Sequence, residues 1–531
     1  MLIVRFSATV AAFLFAVSLS AESTARAAAS GGRYLVRVQS TSADNGSLKS
    51  TSQSLVSQIT HAQNGSLIHR TVQPSDPSQR TVQSASATSS VPNSADSIAT
   101  YALILSDEQR AALTNDPLVL SIENDDVVFL SDPVVPPAPK EISVAMITRA
   151  LGLEDISGVD DSRVVVAVSD TGVDLTHPSL ASRLFENMSE RNGLPGYDDD
   201  QNGCADDING CDLADRDGDP SPVPTSDGDH GTHTAGLIEQ TSMSARLIVA
   251  KGFKSSDGTA QMSDLLRSVY YSVNAGAKVI NCSWGIDRSP LQAERDAFAF
   301  ALRSGALPVV AAGNSAKDAS TTSPAGIDGV LTIGAINSVD DVSSFSNFGK
   351  SVSLFAPGGD SLALGGVADE TLRSTIPVTH GSFGNMRGTS MAAPLVSGLA
   401  ALVFAAQPLL TPAQVKSVLI STARKQTSHL PNGSVVEILI PDAFAAIALA
   451  RLTLPLPLSV PGSKPITPAT PASELPTPTA ASPGCSLAKI QSTSGYSKSE
   501  ATSDHQAGFD FSWVLFFVGP LVTSYGLRRR R

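Results

Sequence analysis

A chain of 531 residues is too long for one ordinary domain, and 42% hydrophobic against 16% charged residues leaves enough apolar material for a sizeable core. The formal net charge of -13 argues against nucleic acid as a partner, and four cysteines do not make a disulfide scaffold. Residues 1–27 carry one arginine, Arg5, then an apolar run to Leu19 and the triplet Ala25-Arg26-Ala27. That is the pattern of a secretory signal peptide with an A-x-A cleavage site, and the run is short for a membrane anchor. The rest is therefore expected outside the cytoplasm, in an oxidising, calcium-containing medium.

Residues 28–139 look like a separate small unit. Tyr34 to Val38 alternates like a strand. Tyr101 to Leu113 reads as a strand and then a helix capped at Ser106, with Asp107 and Glu108 in its first turn. Leu118 to Val128 reads as a further strand and a turn. A Ser/Thr/Gln-rich stretch, about Pro74 to Thr100, is an expected disordered insertion, and the Pro-rich Asp132 to Pro139 is an expected linker.

The next unit, residues 140–452, carries the chemistry. Val164 to Asp174, V-V-V-A-V-S-D-T-G-V-D, is apolar on both faces and reads as a central parallel strand with Asp170 at its carboxyl end. Asp198 to Asp212 is an acidic loop. Asp198, Asp200, Asn202, Asp206 and Asp207 place oxygens around Gly203, a pattern suited to a hard cation such as calcium, although no glutamate follows at the twelfth position. A solvated acidic loop is the alternative. Asp215 to Asp219 is a weaker candidate of the same kind. Cys204 and Cys211 flank the acidic loop as a local disulfide or two thiols, while Cys282 reads as a buried hydrophobe.

Asp227 to Gly236, D-G-D-H-G-T-H-T-A-G, puts His230 at the start of a small-residue helix, with His233 as a competing imidazole. Ala277 to Gly285 is a strand and a turn through Ser283, Trp284 and Gly285. Leu307 to Ser315 is a buried strand that runs out at Asn314. Asp360 to Asn385 reads as a less regular insertion. Arg387 to Val403, R-G-T-S-M-A-A-P-L-V-S-G-L-A-A-L-V, is a tight turn and a helix too apolar to face water, with Pro394 expected in its first turn. Ser390 stands at the start of that helix, either as an N-cap or as a hydroxyl beside a positive dipole end. A last helix, Thr411 to Ala423, is capped by Thr411 with Pro412 at its first position.

A hydroxyl is a weak nucleophile unless a base takes its proton and a carboxylate orients that base. Asp170, His230 and Ser390 supply these parts in the order Asp, His, Ser. D-T-G-V-D, H-G-T-H-T-A-G and G-T-S-M-A-A-P together resemble the subtilisin-like serine endopeptidases, over roughly Ile142 to Ala450. The resemblance implies a three-layer α/β/α sandwich with a parallel sheet, preceded by a small α+β prodomain that blocks the site until it is cut away. It implies peptide-bond cleavage through an acyl-enzyme, with Asp170 orienting, His230 as base and acid, and Ser390 as nucleophile. Asn314 would meet the developing oxyanion together with the backbone N–H of Ser390. The backbone of Ser283, Trp284 and Gly285 would pair with substrate. His233 falls on a helix position in the family motif.

Residues 453–508 are a Pro/Thr/Ser-rich stalk without a core-forming pattern, and 509–531 hold an apolar run, Phe511 to Leu527, before four arginines. The run is at the short limit for spanning a bilayer, and the arginines are expected to stay cytoplasmic. The layout resembles C-terminal sorting tags of Gram-negative bacteria; a plain membrane anchor is the alternative. Two function classes follow. One is an exported serine endopeptidase, at the cell surface, membrane-tethered or released, that acts on polypeptides and is inhibited by its own prodomain. The other is a catalytically silent, calcium-binding surface protein on a protease scaffold.

Overall fold

The computed structural model describes residues 32–40, 66–72, 97–130 and, apart from positions 155, 157, 243 and 367, residues 140–454. The expected signal peptide, linker, stalk and apolar tail lie outside the described residues.

The N-terminal unit consists of β1 (Gly32–Ser40), β2 (Ser66–Val72), β3 (Ser97–Leu105), helix α1 (Asp107–Thr114) and β4 (Val119–Asn124), with an antiparallel sheet ordered β2-β3-β1-β4. Strand alternation gives β1 two apolar faces. Val36 and Val38 join Leu103, Leu105 and Leu113 in a small core, while Leu35 faces the main domain. Ser106 caps α1 and Gln109 reaches back to it, as a capping box. Ser97 to Thr100 belong to β3, so the expected insertion ends earlier than its composition suggested. Pairing with β1 along its whole length takes in these residues.

The main domain continues through β5 (Val127–Val128), β6 (Lys140–Ile142), α2 (Val144–Ala150), β7 (Val165–Asp170), β8 (Gly210–Asp212), α3 (Asp229–Thr241), β9 (Arg246–Lys251), β10 (Ala260–Gln261), α4 (Met262–Asn274), β11 (Val279–Cys282), α5 (Gln292–Arg303), β12 (Leu307–Ala311), β13 (Leu331–Ile336), β14 (Leu354–Pro357), β15 (Glu370–Thr375), β16 (Phe383–Met386), α6 (Thr389–Ala406), α7 (Pro412–Thr422), β17 (Arg424–His429), β18 (Val435–Ile440) and α8 (Ala443–Leu452). Seven strands form one sheet in the order β14-β13-β12-β11-β7-β9-β8, parallel at every pairing. Successive residues of a central strand feed opposite layers. Val166 and Val168 of β7 pack with α3 and α6, and Ala167 packs with α4 and α5. This is the expected α/β/α sandwich, with helices over both faces.

Helix α6 is long and apolar enough to cross a membrane, but 89% of it is buried in the fold, as suits the core helix of a soluble domain. Pro394 is its sixth residue rather than part of its first turn, because the helix starts at Thr389. The proline has no N–H to give to the carbonyl of Ser390. Ser283 Oγ donates to that carbonyl instead, at 2.9 Å. The stretch before α6 is more regular than expected: β15 and β16 form a hairpin, extended by β6 into a three-stranded sheet.

Candidate active site

Asp170 ends β7, between β9 and β11, at the point where the chain's successive strands pass from one side of β7 to the other. Its carboxylate is fully buried and held on both oxygens. Oδ1 accepts from Thr171 N–H at 2.8 Å and lies 2.7 Å from His230 Nδ1, and Oδ2 accepts from Thr234 Oγ at 3.2 Å. His230 is thus oriented by a carboxylate that is itself immobilised. The close seat of α3 depends on Gly231, where a Cβ would stand 2.2 Å from the Gly172 carbonyl oxygen.

Ser390 comes from α6, which packs along α3. Gly398 permits that approach: a Cβ there would meet Thr241 Oγ at 2.0 Å. Ser390 is 5% exposed, and its hydroxyl donates to the Ser283 carbonyl at 3.2 Å. The Thr389 N–H and hydroxyl both donate to Asn314 Oδ1 at 2.9 Å. Asn314 and Ser390 line one cavity. That cavity is also lined by Ser283, Trp284 and Gly285. The Trp284 ring turns into the core, where Nε1 donates to Ser169 Oγ at 3.0 Å, so this residue meets the cleft mainly through its backbone.

His233 is fully buried beside the Leu372 carbonyl, 3.1 Å from Nε2, and burial pushes its pKa down to about 3. It is a neutral core histidine. The hairpin β15–β16 grips α3 from outside. Ser374 Oγ donates to the His233 carbonyl and Thr375 Oγ to that of Thr232. His380 on the hairpin pairs with Asp229, the residue before His230, and Val378 N–H donates to Asp174. Burial raises the pKa of Asp229, against the pull of His380. No sequence motif marked these hairpin residues.

In the acidic loop, Glu190, Asp200 and Asp207 each offer a carboxylate oxygen within 4.8 Å of the others. Glu190, on a four-residue helix, was not among the expected ligands. Asn202 donates to both Asp200 and Asp207, at 3.3 and 2.8 Å. Asp198 turns its oxygens to the N–H groups of Asn202 and Gly203, and Asp206 accepts from Gly196 N–H. Burial lifts Asp207 to about 6, and the nearby charge of Asp200 adds to this against hydrogen bonds from Tyr271 and Asn202. Crowded carboxylates of this kind suit a hard cation. Cys204 and Cys211 are disulfide-bonded, and Cys282 is buried.

The N-terminal unit reaches the same cleft. Glu123 accepts from Gln292 and Ala293 N–H at the start of α5, and Asp125 from Ser263 N–H in the first turn of α4. Val127–Val128 then pairs antiparallel with Ala260–Gln261, and Phe129 and Leu130 line the cavity beside Ser390.

The Peptidase S8 model, described as the Subtilase family, matches residues 161–436, just over half of the chain. The chain belongs to the subtilase family. This subtilase is 33% identical over 248 residues to the Thermophilic serine proteinase of Bacillus sp. (strain AK1), covering 45% of this chain and 51% of that protein. It is 30% identical over 335 residues to Subtilisin amylosacchariticus of Bacillus subtilis subsp. amylosacchariticus, covering 61% and 74%. Among solved structures, a cold adapted subtilisin-like serine proteinase is 30% identical, with 54% of this chain and 90% of that chain covered and a TM-score of 0.42. The subtilase spans about half the length of the first of these curated relatives.

Proposed function

We propose that this subtilase is an exported serine endopeptidase that cleaves polypeptides through an acyl-enzyme. The observation that carries the reading is the Asp170–His230 pair, buried and 2.7 Å apart, with His230 on a helix packed against the one that presents Ser390. His230 takes the hydroxyl proton as Ser390 Oγ attacks the peptide carbonyl, and Asp170 holds the imidazole and steadies its positive charge. Asn314 and the backbone N–H of Ser390 meet the oxyanion. His230 then protonates the leaving amine, and water releases the acyl group by the same route in reverse. The presence of every member of this set disfavours a catalytically silent scaffold.

The N-terminal unit serves as a prodomain: its carboxylates cap α4 and α5, and its last described segment lies across the cleft. The apolar run Phe511 to Leu527, followed by four arginines, tethers the enzyme to a membrane. Labelling fractionated cells with a fluorophosphonate probe tests the reading. The expected result is label on Ser390, in the membrane fraction. Absence of label from Ser390 in correctly folded protein would refute the protease, and full-length labelled protein in the soluble fraction would refute the tether.

Calcium is proposed as a structural ion held by Glu190, Asp200 and Asp207, where it would offset carboxylate repulsion. Without the ion, Asp207 has a higher pKa folded, about 6, than its ordinary 3.8. The folded state then binds more protons across that window, so stability is lost as pH rises from about 4 to about 6. In the inactive Ser390→Ala background with chelator, the thermal midpoint is expected to drop across that window more than in the same protein with Asp207→Asn. Calcium at 100 times its Kd should restore about 2.7 kcal/mol at neutral pH. Equal midpoints with calcium and with chelator would refute the ion site.

A further inference from the structure

We propose that the cavity beside Ser390 accepts a cationic side chain, lysine or arginine, at the residue whose carbonyl is attacked, and that Asp287 is the specificity-determining residue. The inference rests on the protease reading above and goes on to name its substrate class. With Phe129 and Leu130 of the N-terminal segment still forming part of its wall, the cavity is about 160 Å³, below the roughly 300–1,000 Å³ of pockets for drug-sized ligands, so it has room for one side chain even before that segment leaves. Because its lining includes both Ser390 and Asn314, the side chain it receives belongs to the residue being cleaved.

Among the described residues, Asp287 is the one charged residue in that lining. Ser315 Oγ donates to its Oδ2 at 2.6 Å, and Thr322 Oγ stands 3.5 Å from its Oδ1. Both hydroxyls also line the cavity, so the carboxylate forms part of a polar wall. Burial pushes the Asp287 pKa up, but the Ser315 hydroxyl and Lys317 outweigh this and hold it below the ordinary carboxylate value. Lys317 pairs with Asp287 at 3.1 Å but does not line the cavity. The Asp287 side chain remains 50% exposed, which leaves room for a second donor.

A phenylalanine or leucine tip in this cavity would displace water from an ionised carboxylate and replace none of its hydrogen bonds, which is unfavourable. A lysine ammonium or arginine guanidinium replaces that water with a charge-assisted bond. The prodomain segment does not argue for an apolar occupant. Phe129 is 66% exposed, and Leu130 packs toward the core cluster that includes Ala260 and Trp284.

The test uses the full-length chain after self-processing, with fluorogenic peptides identical except for Lys, Arg, Phe, Leu or Ala at the cleaved residue. Wild type is expected to show kcat/KM at least tenfold higher for Lys and Arg than for Phe and Leu. In Asp287→Asn the Lys-to-Phe ratio should fall about tenfold, and in Asp287→Glu the basic preference should persist. Equal or faster cleavage after Phe or Leu by wild type would overturn the specificity and leave the protease reading standing. An unchanged ratio in folded, active Asp287→Asn would overturn the role of Asp287. No cleavage of any peptide, with no fluorophosphonate label on Ser390, would remove the protease reading itself and this inference with it.

Discussion

Ser390→Ala is expected to reduce kcat on casein or any peptide by roughly 10⁶-fold, the size of the corresponding loss in subtilisin. The change should leave the fold almost untouched. The side chain is small, at a site only 5% exposed, and among the described residues its hydroxyl makes one bond, of 3.2 Å, to the Ser283 carbonyl. Losing a bond of that kind costs on the order of 1 kcal/mol. The Ser283 hydroxyl still bonds the Ser390 carbonyl, which is a backbone group, so the helix start keeps its outside support. The same variant should stay uncut between about Asp132 and Ile142, because Phe129 and Leu130, just before that stretch, line the cavity beside Ser390. Rate measurement and intact-mass analysis of purified precursor check both. Casein cleavage at the wild-type rate would sink the assignment of Ser390.

Asp170→Ala is expected to cost roughly 10⁴-fold in kcat, again a magnitude known from subtilisin. Its second effect separates it from the serine variant. Asp170 is fully buried and accepts from Thr171 N–H, Thr234 Oγ and His230. Truncation strands these donors in the interior, at about 1–3 kcal/mol for each that finds no new partner. Asp170→Ala should therefore melt several degrees below wild type, and Ser390→Ala should not. Calorimetry of both variants, each inactive and so safe from self-digestion, checks the contrast. Equal melting temperatures would mean that the Asp170 bonds are replaced by others when the carboxylate goes.

Several features were legible from residue order because local chemistry demands them. A buried parallel strand needs a two-faced apolar run, and β7 has one up to Asp170. The caps at Ser106 and Thr411 depend on residues within three positions of each other, and both are present as capping boxes. The Cys204–Cys211 bond closes a loop seven residues apart in sequence. Other features depend on partners far along the chain. Thr375 and Ser374 look like loop residues, yet they lie in a strand because they satisfy carbonyls of α3 more than a hundred positions earlier. His380 gains meaning only when the hairpin sets it against Asp229.

The acidic loop illustrates the boundary most clearly. Alternating oxygens nominated Asp198 and Asp206 alongside Asp200 and Asp207, but spacing cannot tell which carboxylates turn inward. Asp198 binds N–H groups of its own loop, while Glu190 folds over to accept from Asp199, Asp200 and Asp206 N–H and so joins the cluster. The same holds at the cleft. The order Asp170, His230, Ser390 stands in three sequence motifs, and the sandwich that carries them followed from the family those motifs resemble. The charge in the wall of the cavity beside Ser390 could not be read in that way. Asp287 enters the cavity wall beside Ser315 and Thr322, which the connection between β12 and β13 brings to its carboxylate from some thirty positions away, and side-chain convergence of that kind is set by packing in three dimensions rather than by spacing along the chain.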